Sequence, residues 1–101
     1  MNIFEIYKKK IQDLVIANCT NFNIDPKINF LGVVFEIPPQ EFNFDLSSNI
    51  ALVLGKKTKQ SPVKLANLIK DLLLKNLDNF AEVSVAGPGF INFRFNSKTY
   101  Q

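Results

Sequence analysis

Phe90, Asn92 and Arg94 alternate along the segment Phe90-Ile91-Asn92-Phe93-Arg94-Phe95, directly after the turn Ala86-Gly87-Pro88-Gly89. Side chains of an extended strand leave opposite faces in turn, so these three share one face and Ile91, Phe93 and Phe95 share the other. The second set suits a core. The first brings a ring, a carboxamide and a guanidinium onto one surface, the groups that stack on and hydrogen-bond an unpaired base. An ordinary half-buried edge strand with solvated polar residues gives the same alternation, and both readings stand at this point. A second cationic group, Lys56, Lys57 and Lys59, fills a break between two helices and would add sequence-independent attraction to phosphate.

Composition removes most catalytic chemistry. The 101 residues contain no histidine and one cysteine, so Ser–His and Cys–His nucleophile pairs are impossible, as are His-ligated zinc and thiolate zinc clusters. The nine acidic residues are scattered, without an Asp-x-Asp cluster for magnesium or calcium. The chain by itself is therefore expected not to be an enzyme and to hold no cofactor or metal. The lone Cys19 reads as a small apolar filler near the end of the first helix. A single cysteine also fits a reducing compartment, and no apolar run approaches the roughly 18 residues of a membrane span. Lys8-Lys9-Lys10 follows the first apolar residues instead of preceding them, unlike a secretory leader. The expectation is a cytoplasmic protein with no membrane partner. Net charge is +3, with eleven lysines among twelve basic residues. That balance is compatible with nucleic acid, but it equally matches the codon bias of an AT-rich genome.

Hydrophobic residues at 47% and charged residues at 21% are ordinary for one globular domain with a single core, spanning 1–101. Ile3, Phe4, Tyr7, Ile11, Leu14 and Val15 predict an amphipathic helix over 3–18, with Lys8 and Lys9 on its solvated side. Residues 20–31 read as irregular. Gly32 to Ile37 reads as a strand stopped by Pro38-Pro39, with Glu41 to Phe44 returning antiparallel and Phe42 and Phe44 on one face, which suits either the core or an interface and is placed in the core. Asp45 is placed as the cap of a buried helix from Leu46 to about Lys57, with Gly55 near its end. Ser61-Pro62 opens a further helix with Leu65, Ala66, Ile69, Leu72, Leu73 and Leu77 as its core stripe. Phe80 to Ala86 is a strand with Ala81, Val83 and Val85 inward. A three-residue loop at Gly87-Pro88-Gly89 then sets Val85 opposite Ile91, Val83 opposite Phe93, Ser84 opposite Asn92 and Glu82 opposite Arg94, whereas a two-residue loop breaks the alternation. The order α-β-β-α-α-β-β predicts a two-layer α+β fold, an antiparallel four-stranded sheet with helices on one face. The open face is the one carrying Phe90, Asn92 and Arg94.

Two segments carry a family resemblance. One is Asp45-Leu46-Ser47-Ser48-Asn49-Ile50-Ala51-Leu52-Val53-Leu54, followed by Lys56 and Ser61-Pro62; the other is Val85-Ala86-Gly87-Pro88-Gly89-Phe90-Ile91-Asn92-Phe93-Arg94. In order and separation they resemble the N-terminal additional domain of arginyl-tRNA synthetases, over about Phe4 to Phe95. The resemblance implies an accessory module preceding a class I catalytic domain in the same polypeptide and contacting the D-loop at the elbow of tRNA(Arg). That domain would perform ATP-dependent arginylation with magnesium. Carried over by position, Asn92, after Gly-Phe-Ile, is the base-bonding residue and Phe90 the stacking one. Arg94 joins them by alternation, as a phosphate neighbour. The family's glycine before the first motif's aspartate is replaced by Phe44, so the turn there is expected to differ. The histidine-bearing adenylation motif of the class is absent, which implies that the catalytic domain lies outside these residues. The competing expectation is a protein-interaction or structural module whose open face docks a polypeptide, with Phe90 as anchor.

Overall fold

A computed structural model describes residues 3–96. Helix α1 (Ile3–Ala17) begins the chain and runs into a 3₁₀ turn at Cys19–Phe22. Strands β1 (Phe35–Glu36) and β2 (Leu46–Ser48) follow, then helices α2 (Ile50–Thr58) and α3 (Pro62–Asn76), then strands β3 (Phe80–Ala86) and β4 (Phe90–Phe95). The four strands form one antiparallel sheet in the order β1-β2-β4-β3, and the predicted α+β order is the one observed.

Helix α1 buries Tyr7, Ile11 and Val15 and half-buries Phe4 and Leu14; the side chain of Ile3 lies outside the described residues. Ser61 caps α3 by accepting the Lys64 N–H, with Pro62 in the first turn. The predicted stripe buries Leu65, Ala66, Ile69 and Leu73, with Leu72 and Leu77 half-buried at its margin. The helices cover one face of the sheet, and there Leu46, Val83, Ile91, Phe93 and Phe95 meet the core. Tyr7, Phe80, Phe93 and Phe95 form its aromatic centre, with ring centroids 4.9–5.8 Å apart.

The β3–β4 register is the predicted one at Val85–Ile91, Ser84–Asn92, Val83–Phe93 and Glu82–Arg94. It slips by one residue beyond Glu82, where Phe80 pairs with Phe95. The bulge turns Phe80 inward, and Ala81, expected inside, is exposed. A phenylalanine buries far more apolar surface than an alanine, so the shift favours the core.

The middle of the chain departs from expectation in three ways. The strand expected over Gly32–Ile37 is reduced to Phe35–Glu36, because Asn49 binds the backbone ahead of it: its Oδ1 accepts the Val34 N–H at 2.7 Å and its Nδ2 donates to the Gly32 carbonyl at 3.1 Å. The returning strand is Leu46–Ser48, while Gln40–Phe42 is a 3₁₀ turn closed by Asn43 at φ 56°. Phe42 is accordingly exposed, at 59%, and is not part of the core. Finally, Asp45 does not cap a helix. Its N–H donates to the Phe93 carbonyl and its carboxylate accepts the Phe95 N–H at 2.8 Å, so it ties β2 to β4. Helix α2 starts four residues later than predicted, with Ser48 Oγ accepting the Ile50 N–H.

Gly55 lies inside α2 and does not end it. A Cβ there would stand 3.1 Å from the Pro62 Cα, so the glycine admits the start of α3. The terminator is Lys59 at φ 57°, with Gln60 N–H donating back to the Gly55 carbonyl at 2.8 Å. This is a Schellman ending with lysine where glycine is usual.

Candidate nucleic-acid interface

Glycine sets up the closing hairpin. Gly87 at φ 55° and Gly89 at φ 131° take backbone conformations that L side chains resist, and β4 leaves the turn with Phe90 on the open face. Burial alternates through β4: Ile91, Phe93 and Phe95 are buried, while Phe90, Asn92 and Arg94 are half-exposed. The two faces therefore divide as the sequence predicts.

A polar row crosses the open face. Glu36 pairs with Ser47, Ser47 with Asn92, and Asn92 with Ser84. No side chain or backbone group among the described residues hydrogen-bonds the Asn92 carboxamide, and its nitrogen and oxygen are not sealed from solvent. Other asparagines are spent within the chain: Asn49 on Gly32 and Val34, Asn76 on the Leu72 carbonyl, Asn96 on the Asp78 carbonyl. Asn23 and Asn43 also lack a side-chain bond, but each closes a 3₁₀ turn in the left-handed conformation; Asn92 is the asparagine on the open sheet face with both its donor and its acceptor available.

Beside it lies a shallow hollow of about 280 Å³ lined by Pro38, Pro39, Phe42, Ser47, Ala86, Gly87, Phe90 and Asn92. Phe90 and Asn92 are thus brought together. Arg94 lies further along β4 and is held by Glu82, Nη2 to Oε1 at 2.6 Å, with both side chains a little over two-fifths exposed. Its Nε is buried without a partner, so only part of the guanidinium fork is engaged.

The three lysines are exposed at the C-terminal end of α2, in the helical layer, and do not line the hollow. Lys57 Nζ donates to Asn29 Oδ1 at 2.7 Å, to the Leu31 carbonyl at 2.8 Å and to the Asn29 carbonyl at 3.1 Å. Its ammonium organises the preceding loop. No such bond is made by Lys56 or Lys59.

Sequence reasoning missed the far wall of the hollow. From sequence Pro38-Pro39 marks only a strand stop, but its two fixed φ angles also carry the connection over the open face. Ser47, expected in a helix, lies instead on β2 beside Asn92. Among the described residues no group of three or more His, Cys, Asp or Glu side chains could hold a metal, and no helix is long and apolar enough to cross a membrane.

The family model for the arginyl tRNA synthetase N terminal domain matches residues 3–95. The chain belongs to this family. It is 36% identical over 97 residues to an arginine–tRNA ligase of Pelagibacter ubique, covering 96% of this chain and 17% of the ligase. It is 39% identical over 101 residues to an arginine–tRNA ligase of Rickettsia akari, and 38% identical over 101 residues to that of Rickettsia africae, covering in each case the whole chain and 16% of the ligase. The chain thus spans about a sixth of the length of the curated relatives it matches, and the match is to their N-terminal domain.

Proposed function

We propose that this chain is the tRNA-contacting accessory domain of an arginine–tRNA ligase. In this reading a catalytic domain of the same polypeptide, using ATP with magnesium, arginylates tRNA(Arg) in the cytoplasm. The present residues hold the D-loop side of the tRNA elbow. One observation carries the assignment: the unspent carboxamide of Asn92 stands beside the Phe90 ring on the face that the helices leave open, in a chain of the arginyl tRNA synthetase N-terminal family. Phe90 offers a stacking plane and Asn92 a donor and an acceptor for one base edge. Arg94, Lys56 and Lys59 add attraction to phosphate. Lys57 contributes less, because its ammonium is already shared among three oxygens.

The function is positioning. One stacked base contributes about 1–3 kcal/mol and one neutral hydrogen bond about 1, so the isolated chain binds tRNA no more tightly than about 10⁻⁵ M. Tethering to a catalytic body converts these contacts into a high local concentration. Titration of the chain with tRNA(Arg) transcripts at low salt tests this, using transcripts that differ at unpaired D-loop positions. Asn92→Ala is expected to reduce discrimination among those bases. Identical affinities and identical base dependence for the unaltered chain, Asn92→Ala and Phe90→Ala would assign the open face to protein docking instead.

A further inference from the structure

We propose that Phe42 is the second wall of a slot for a single unpaired base, enclosing with Phe90 a ring system whose edge is met by Asn92 and Ser47. The inference rests on the reading of the open face as a base-contacting surface and adds a residue, on a different element, to it. Phe42 and Phe90 line the same hollow, one from the β1–β2 connection and one from the closing hairpin. Neither ring has an aromatic partner among the described residues, in contrast to the packed quartet of Tyr7, Phe80, Phe93 and Phe95.

Phe42 is exposed by construction of the backbone. Pro39 sits at φ −54° and ψ 140°, and the turn after it is closed by Phe42 N–H to the Pro39 carbonyl at 3.1 Å and by Asn43 N–H to the Gln40 carbonyl at 3.0 Å. These bonds hold the backbone that carries the ring, so the turn itself has little freedom left to lose when a ligand covers it. The floor selects the occupant. Ser47 and Asn92 are adjacent in register, and neither side chain has a hydrogen-bond partner among the described residues. An aliphatic side chain in the hollow would strip both of water and return nothing, which is costly. A heteroaromatic base offers faces to the rings and a donor–acceptor edge to the floor. At about 280 Å³ the hollow falls just below the roughly 300–1,000 Å³ of drug-sized sites, so it accepts one ring system, not a stacked run.

The test uses the 101-residue chain, transcripts of an arginine tRNA at low salt, and protein concentrations reaching the millimolar range. Phe42→Ala, Phe42→Tyr, Phe90→Ala and Asn92→Ala are compared after an NMR fingerprint confirms the unaltered fold. Stacking is tolerant of base identity, so Phe42→Ala is expected to weaken binding at least about fivefold for every transcript, with Phe42→Tyr close to the unaltered chain. Asn92→Ala instead alters the ratio between transcripts. If Phe90→Ala and Asn92→Ala act while Phe42→Ala stays within twofold, the slot has one wall and this proposal falls, leaving the proposed function intact. If none of the substitutions acts, or the unaltered chain does not bind, both fall together.

Discussion

Gly89 approaches Pro62 so closely that a Cβ placed on it would lie 2.7 Å from the proline Cβ and 3.1 Å from its carbonyl carbon. The hairpin turn that launches Phe90 is therefore seated on the first residue of α3. Pro62 is also the residue against which Gly55 packs, so α2, the start of α3 and the turn before β4 converge on one proline ring. Gly89→Ala combines this clash with a φ of 131° and is expected to destabilise the chain by about 2–4 kcal/mol. Gly87→Ala, at φ 55° with nothing within 4 Å of the added carbon, should cost only about 1–2 kcal/mol. Urea titration of the two variants checks the order; equal losses would show that the contact with Pro62 is not what matters.

Lys57 is expected to affect the fold before it affects any ligand. Lys57→Met removes one donor group from three oxygens of Asn29 and Leu31, and solvent at this exposed position softens the loss to about 1 kcal/mol. Amide exchange should quicken from Asn29 to Val34 while β4 stays protected. Lys56→Met, with no such bonds, should leave that exchange unchanged.

The Glu82–Arg94 pair is short, at 2.6 Å, but partly exposed on both sides. A double-mutant cycle with Glu82→Gln and Arg94→Met should therefore return a coupling of no more than about 1 kcal/mol. Glu82→Gln also releases the guanidinium. Under the proposed function it should strengthen tRNA binding at low salt, and the gain should shrink as salt rises.

Cys19 supplies the pH dependence. Burial, and secondarily the Asp25 carboxylate, push its thiol above the ordinary value of 9.0. The unfolded chain therefore releases this proton at lower pH than the folded one. Stability from this source is complete below about pH 9 and declines as pH rises toward and through the folded value. Cys19→Ala should flatten the alkaline limb of a thermal-melt series, at the cost of a small cavity. Cys19 is also 2% exposed, so iodoacetamide should label it slowly unless urea is present.

The strongest local signals were the readable ones. The 3–4 spacing of α1 and α3, the Ser61-Pro62 start and the strict alternation of β4 each name their own partner or face, and the choice of hairpin loop fixed Glu82 against Arg94. The misread stretch, Gly32 to Asn49, is organised by distant partners. Asp45 has the look of a helix cap, but its carboxylate is taken by Phe95 fifty residues away. Asn49 is spent on Gly32 and Val34 in place of its own helix. Local propensity cannot see such bonds, so it extends the helix over β2 and Ser47. Alternation leaves Phe42 a choice of core or interface and favours the core; the Pro38-Pro39 geometry that lifts it outward is legible only once the strand order is known. Half of the candidate surface, the half on β4, was thus within reach of sequence, and the half on the β1–β2 connection was not.

The strand order β1-β2-β4-β3 has a consequence for how the molecule comes into being. The last of these four strands to be made occupies an interior place, pairing with Leu46–Ser48 on one side and Phe80–Ala86 on the other. On a ribosome, β2 waits with an unpaired edge through the synthesis of some forty further residues, and closing that long loop makes the step slow relative to helix formation. The helices can form early, but the sheet is sealed only when Phe95 has left the exit tunnel, so truncation or stalling shortly before it leaves a sticky edge instead of a slightly shorter domain.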